Sequence, residues 1–284
     1  MESAPPEPLP FTYVRPEQGW GRRTLIGLVE RLSGRSALER MYRAWVAGHD
    51  PGETILAAGL RLLRVEAEVA AADLARLPRE GGLLVVANHP FGILDGLLVG
   101  HLVDSLRGDV KILTHSLLCQ PPEARAVLLP VDFGAGPEAR RVSAETRARA
   151  QAWLVAGHAV VVFPGGSVAT SVRPWAGPAV DVAWHPFVAR LAALPGVTTL
   201  PVFVHGQNSR LFQIVSHFSY PLRVALIFRE TRARAGQRVR LSVGAPVRPR
   251  GERAAVVQGL RRACYALGGQ DGAAVFVWPR WIRW

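Results

Sequence analysis

His89 and Asp95 are the residues of this chain best placed for acid–base chemistry. An imidazole is a base near neutral pH, and a nearby carboxylate fixes its tautomer and stabilises the imidazolium. The surroundings suit that role. Leu83-Leu84-Val85-Val86-Ala87 is a short, uncharged aliphatic run, the pattern of a strand buried on both faces. Asn88, Pro90 and Gly92 interrupt it, and an apolar helix is predicted from Ile93 to Val103. His89 then stands on the loop leaving the strand and Asp95 in the first helical turn. In a parallel α/β sheet, the carboxyl end of a strand is where sites form.

Three other predicted strands end in polar or glycine-containing loops. Val160-Val161-Val162-Phe163 runs into Pro164-Gly165-Gly166-Ser167, where glycines allow close backbone approach and can turn N–H groups toward an anion or a developing oxyanion. Leu200-Pro201-Val202-Phe203-Val204 leads into His205-Gly206-Gln207-Asn208-Ser209-Arg210, and a last strand ends at Val243-Gly244-Ala245-Pro246. A lone histidine is more often structural, and a lone glycine pair is more often a turn. Their joint occurrence at strand ends points to a site. Asn208 and Arg210 either contact substrate or hold their loop. His101, His115, His158 and His217 read as packing or surface residues, and Cys119 as a structural thiol rather than a nucleophile.

Asn88-His89-Pro90-Phe91-Gly92-Ile93-Leu94-Asp95-Gly96 resembles the catalytic motif of the glycerolipid (lysophospholipid) acyltransferase superfamily. Phe163-Pro164-Gly165-Gly166-Ser167 is similar to its F-P-E-G-T-R block, Leu200-Pro201-Val202 to its later proline-containing strand, and Val243-Gly244-Ala245-Pro246 to its terminal G-x-P strand. Gly206-Gln207-Asn208-Ser209-Arg210-Leu211-Phe212 is most like the hemolysin-type branch, related to the acyltransferases of ornithine-lipid synthesis. The resemblance spans roughly residues 22 to 268. It implies an acyltransferase in which His89 is the general base and Asp95 orients it. Asn88, Phe91, Gly92, Gly165, Gly166, Ser167, Asn208 and Arg210 are its expected substrate-binding residues.

The implied co-substrate is the thioester of acyl-CoA or an acyl carrier protein, with no metal, no other cofactor and no covalent intermediate. Two departures stand out. Five residues separate His89 from Asp95, where the superfamily motif has four, and a bulge at Pro90-Phe91-Gly92 is expected to absorb the extra one. Gly165 replaces the Glu of the second block and Val168 its Arg, which the phosphate-handling members use on the acceptor. The expected acceptor is therefore a lysolipid held without that clamp, with a lyso-ornithine lipid as the leading candidate.

Two rival classes bear on the same residues. Gly165-Gly166-Ser167-Val168-Ala169 lies one residue from a G-x-S-x-G elbow, with Asp181 and then His185 or His205 in the chain order of a serine hydrolase. Pro174, Gly177 and Pro178 make a poor version of the helix such an elbow needs. The other rival is a non-enzymatic basic module that binds membrane or nucleic acid. The arginines are scattered, with clusters at Arg140-Arg141, 229–240 and Arg261-Arg262, and no nucleic-acid signature accompanies them, so nucleic acid is not an expected partner.

The remaining elements must position these groups. The 284 residues are nearly half apolar, enough for a large core. The net charge of +12 comes almost wholly from arginine, since Lys111 is the only lysine, and favours an anionic partner such as a membrane surface or an acidic carrier. Two distant cysteines form no redox or metal spacing, the proline-rich start does not read as a signal peptide, and no apolar stretch is long enough to span a bilayer.

Strands are predicted at 64–69, 83–87, 110–114, 127–131, 159–163, 198–204, 223–228 and 238–243, and helices at 93–103, 138–155, 182–194 and 254–267. This alternation predicts one α/β domain with a central mixed, largely parallel sheet flanked by helices. A flexible arm is expected at 1–21 and the acyltransferase domain at 22–268. The domain begins with three short helices at 22–63, which form either a layer on the sheet or an amphipathic membrane element. Residues 269–284 form a Trp/Arg-rich tail, read either as a cap on the core or as an interfacial anchor. The expected location is cytoplasmic, peripheral on the inner face of the membrane.

Overall fold

A computed structural model describes residues 19–282 of the chain apart from 33, 49, 51, 120 and 133–135. Most of the expected arm, the side chains of Leu25, Ile26, Val29 and Leu32, and the last two residues, Arg283 and Trp284, lie outside the described residues. Three helices lead, α1 (Trp20–Leu32), α2 (Arg35–Gly48) and α3 (Ile55–Leu63). They are followed by β1 (Glu66–Val69), the single turn α4 (Ala71–Leu74), β2 (Leu83–Ala87), α5 (Ile93–Arg107), β3 (Val110–His115) and β4 (Leu128–Val131). Next come α6 (Pro137–Val155), β5 (Ala159–Val162), the strands β6 (Thr170–Arg173) and β7 (Ala176–Val180), and α7 (Phe187–Ala192). The chain continues through β8 (Thr198–Val204), α8 (Arg210–Ser216), α9 (Tyr220–Ala233), β9 (Arg238–Val243) and α10 (Arg253–Ala266).

Seven strands form one sheet in the order β1-β9-β8-β2-β5-β3-β4. The five from β8 to β4 run parallel; β9 is antiparallel to β8, and β1 runs parallel to β9. The chain is thus an α/β domain with a mixed, mostly parallel sheet. β2 lies at the centre, between β5 and β8, and all five of its residues are buried. Leu83, Val85 and Ala87 face a cluster that includes Leu56 of α3 and Leu94 and Leu98 of α5. Leu84 and Val86 face the opposite cluster, with Leu154 of α6, Leu191 of α7 and Leu260 of α10. Both faces are covered, so the strand needs an unbroken aliphatic run, and its last residue delivers Asn88 and His89 to the carboxyl edge.

The leading helices belong to the helical layer: α3 buries Leu56, Leu60 and Leu63, and α2 buries Trp45. No helix among the described residues is long and apolar enough to cross a membrane. Several expectations need correcting. The strand predicted at 223–228 is the middle of helix α9. Val224, Ala225, Leu226, Ile227 and Phe228 are all buried, and a helix buried on all sides produces the same continuous apolar run as a buried strand. Its start signals decide the matter: Pro221 sits in the first turn, and the Ser219 Oγ accepts the Leu222 N–H at 3.4 Å. The helix predicted at 182–194 shrinks to α7. The proline-rich stretch left without structure pairs instead as the antiparallel β6–β7 hairpin.

The tail is divided. Phe276 and Ile282 are buried and Trp278 packs against the core, while Val277 and Trp281 point outward. The helical assignment of α9 carries a test. Ser219→Ala removes the cap and is expected to lower stability by about 1 kcal/mol, measured by urea unfolding, whereas a strand at this position would be indifferent to the change.

Candidate active site

Asp95 is the fixed point of the site. Its carboxylate is completely buried, and one oxygen, Oδ2, accepts the backbone N–H groups of Phe91 and Gly92, each at 2.8 Å. The same oxygen lies 2.9 Å from His89 Nδ1. That contact does not have hydrogen-bond geometry: His89 Nδ1 and Asp95 Oδ1 are both buried without a hydrogen-bond partner. The loop can wrap the carboxylate because Gly92 has φ +92°, and a side chain there would press on Val168 at 3.2 Å. The bulge absorbs the extra residue between His89 and Asp95, as expected. The imidazole stacks on Phe163, with ring centroids 4.5 Å apart, and lines a cavity.

The cavity has a volume of about 540 Å³, in the range of small-molecule sites. His89, Gly92, Gly165, Gly166 and Ser167 line it together. One wall is aliphatic, from Leu97, Ile112, Leu118 and Leu128; another is the α9 face of Tyr220, Arg223, Val224 and Ile227. Arg147 and His185 stand at the side formed by α6 and the start of α7. The Gly166 N–H is committed to the Phe163 carbonyl at 2.9 Å and cannot serve an oxyanion without breaking that turn. The Ser167 Oγ is buried with no hydrogen-bond partner, which leaves a donor for a ligand.

A base backed by a carboxylate, beside an apolar cavity and a glycine turn, suits attack on a carbonyl. A family model described as acyltransferase matches residues 37–264. The chain belongs to this acyltransferase family. No curated protein matches it. Among solved structures it is similar to the 1-acyl-sn-glycerophosphate (LPA) acyltransferase PlsC from Thermotoga maritima, at 17% identity over 88% of this chain and 82% of that one, with a TM-score of 0.45.

Other expected binding residues of the acyltransferase lie outside the cavity lining, in its scaffold. Asn88 bridges β2 to β8, donating to the Val204 carbonyl at 3.0 Å and accepting the Val204 N–H at 2.7 Å. Phe91 is buried under the guanidinium of Arg234. Asn208 is buried, with its Nδ2 3.5 Å from the Phe91 carbonyl, and Arg210 is exposed and donates to the Gly177 carbonyl at 3.0 Å. Both are loop-holding residues. The serine-hydrolase arrangement does not form, since neither of its candidate histidines meets Ser167: the His185 Nδ1 accepts the Phe187 N–H, and His205 pairs with Ser242. Burial pushes the Cys119 thiol up to about 12, so it is protonated at neutral pH.

The structure adds two residues. Asp181, weighed in the sequence only as a hydrolase acid, holds the backbone of the base: its Oδ1 accepts the His89 N–H at 3.1 Å and its Oδ2 accepts the Trp184 Nε1–H at 2.8 Å. Burial raises its pKa, opposed by the Trp184 hydrogen bond and by the charges of Arg261 and His89. Gly165 leaves room for it, because a Cβ at 165 would lie 3.1 Å from that of Asp181. The second is Arg223, hidden in the sequence by its apolar neighbours. It is buried in the cavity wall and donates to the Thr170 hydroxyl at 2.8 Å and to the Val168 carbonyl. No carboxylate pairs with it among the described residues. Burial pulls its pKa down to about 9, so it stays cationic at neutral pH.

Asp181→Asn tests the first of these. An amide must set an N–H against one of two N–H donors, so the variant is expected to lose about 1–3 kcal/mol of stability and to lower turnover by displacing His89. Denaturant unfolding and a transfer assay on the same preparation check both.

Proposed function

We propose that this acyltransferase moves a fatty acyl group from the thioester of acyl-CoA or an acyl carrier protein to the hydroxyl of a lysolipid. The observation that carries the reading is the placement of His89. Its Nδ1 lies 2.9 Å from a wholly buried carboxylate, and its ring lines an apolar cavity of fatty-chain character. In the proposed step, His89 Nε2 takes the proton of the acceptor hydroxyl as that oxygen attacks the thioester carbonyl. The carbon–oxygen bond forms, the carbon–sulfur bond breaks, and the departing thiolate takes the proton from the imidazolium. Asp95 stabilises the imidazolium between these transfers, and the Ser167 hydroxyl, which lacks a hydrogen-bond partner, donates to the oxyanion.

The aliphatic wall suits the acyl chain. Arg147 and Arg190, whose charges add to the larger effect of partial burial in lowering the pKa of His185, suit the phosphates of the donor. Arg223 gives the α9 wall a cation close to Val168, where the second sequence block lacks its arginine. It suits an acceptor carrying a carboxylate, such as a lyso-ornithine lipid of the kind handled by the hemolysin-type branch. On this reading the enzyme works peripherally on the cytoplasmic face of the membrane.

His89→Ala is expected to lower turnover by about 10²- to 10⁴-fold in a protein that still folds, and Asp95→Asn to lower it with little change in donor binding. Mass spectrometry of products formed from labelled thioesters and a panel of lysolipids measures both effects. Wild-type turnover in a folded His89→Ala protein contradicts the assignment, and a wide preference for lysophosphatidic acid contradicts the choice of acceptor. Gly96 lines the cavity, and a Cβ placed there meets no atom within 4 Å. Gly96→Leu therefore projects into the chain-binding space and is expected to shift donor preference toward shorter acyl chains in the same assay.

A further inference from the structure

Ten large hydrophobic residues are exposed among the described residues, and seven of them lie on three elements, the β6–β7 hairpin, α8 with its following turn, and the tail. Helix α8 is apolar outward as well as inward. Phe212, Gln213 and Ser216 are buried, while Leu211, Ile214 and, one turn further, Phe218 form an apolar stripe facing outward. The hairpin exposes Val172 and Trp175, the latter to 73%, and the tail exposes Val277 and Trp281, the latter to 71%.

The three elements are joined. The Gln213 Oε1 accepts the Ser171 N–H at 2.8 Å, the His217 Nε2 lies 2.9 Å from the Ser171 carbonyl, and Arg210 donates to the Gly177 carbonyl. The rings of His217 and Phe276 meet at 5.2 Å, and those of Tyr220 and Trp278 at 5.8 Å. The charge is one-sided. Segments 170–180, 210–218 and 273–282 contain no Asp or Glu, while Arg173, Arg210 and Arg280 are exposed. The group also borders the cavity, since Tyr220, Arg223 and Val168 line it, Trp278 packs on the first two, and Val168 leads into β6.

We propose that the hairpin, the outer stripe of α8 and the outward residues of the tail together form a surface that docks on an anionic lipid bilayer beside the cavity. Exposed tryptophans favour the membrane–water interface, large aliphatic groups favour the acyl boundary, and arginines without acidic neighbours meet anionic headgroups. A bilayer of anionic lipid meets both features at once, the apolar stripe of α8 and the arginines. The proposal rests on the reading of the acceptor as a lipid, whose entry such a surface would serve.

Co-sedimentation of the full chain with vesicles of phosphatidylcholine mixed with phosphatidylglycerol, and of phosphatidylcholine alone, tests it. Replacing Trp175, Leu211 and Phe218 together by Ser is expected to lower partitioning onto the mixed vesicles by at least about tenfold. Arg173→Gln is expected to lower it about fivefold, and only on the anionic vesicles. Because these side chains are exposed, circular dichroism and the unfolding midpoint should not change. Transfer to a water-soluble, short-chain acceptor should also persist in the triple variant. If the wild-type chain does not bind anionic vesicles, if the triple variant binds them as well as wild type, or if it loses only binding to an acyl carrier protein, the proposal is overturned. Failure of the wild-type chain to transfer any acyl group would overturn the functional reading instead and leave the vesicle result to decide the docking surface.

Discussion

Everything at the site depends on one buried carboxylate oxygen. Asp95 Oδ2 accepts two backbone N–H groups and lies against the base, inside a residue with no solvent exposure. A carboxylate out of water is tolerable only when donors replace its hydration. Here both donors, the N–H groups of Phe91 and of Gly92, the residue that precedes α5, come from the loop that carries His89, so a single group closes the loop, caps the helix and lies against the ring. The carboxylate reaches back to the residue that opens its own helix, which satisfies an otherwise orphaned N–H and places negative charge at the positive end of the helix dipole. In the proposed mechanism, the demands of folding and of chemistry therefore coincide at Asp95.

The grip on His89 extends outward in two directions. Its N–H is held by Asp181, whose own carbonyl is held by the Arg261 guanidinium from α10 at 3.1 Å. Its carbonyl accepts the Ala169 N–H at 2.6 Å, from the segment that Arg223 of α9 pins at Val168 and Thr170. Both backbone groups of the base are thus fixed by elements far away in the chain. Two buried arginines act through carbonyl and hydroxyl oxygens rather than through carboxylates. The approach of Asp181 is possible because position 165 has no side chain, so the departure of the second sequence block from the superfamily pattern has a local steric reason.

Much of this was legible in the sequence, for identifiable reasons. The unbroken aliphatic run at Leu83–Ala87 can only be a strand covered on both faces or a buried helix segment, and the following Asn88, Pro90 and Gly92 ended it in the right place. Gly165, Gly166 and Ser167 reach the cavity because their strand, β5, is the immediate neighbour of β2. The same rule failed at α9, where burial of Val224 to Phe228 erased the helical period and concealed Arg223 in an apparent strand. Asp181 gave little local signal, because only Trp184 lies near it in the chain, while His89 and Arg261 meet it only after the sheet is assembled. Asn208 and Arg210 hold loops: polarity at the end of a strand marks loops that support a site as readily as loops that touch substrate.

The central claim is that Asp95 holds His89 with its proton on Nδ1, leaving Nε2 as the base. Nitrogen-15 NMR of histidine-labelled protein at neutral pH measures this directly, with the His89 resonances assigned by loss in His89→Gln. The account predicts a protonated Nδ1 and an unprotonated Nε2 in the wild type, and loss of that preference in Asp95→Asn. A wild-type His89 with its proton on Nε2, or a tautomer indifferent to Asp95→Asn, would contradict it.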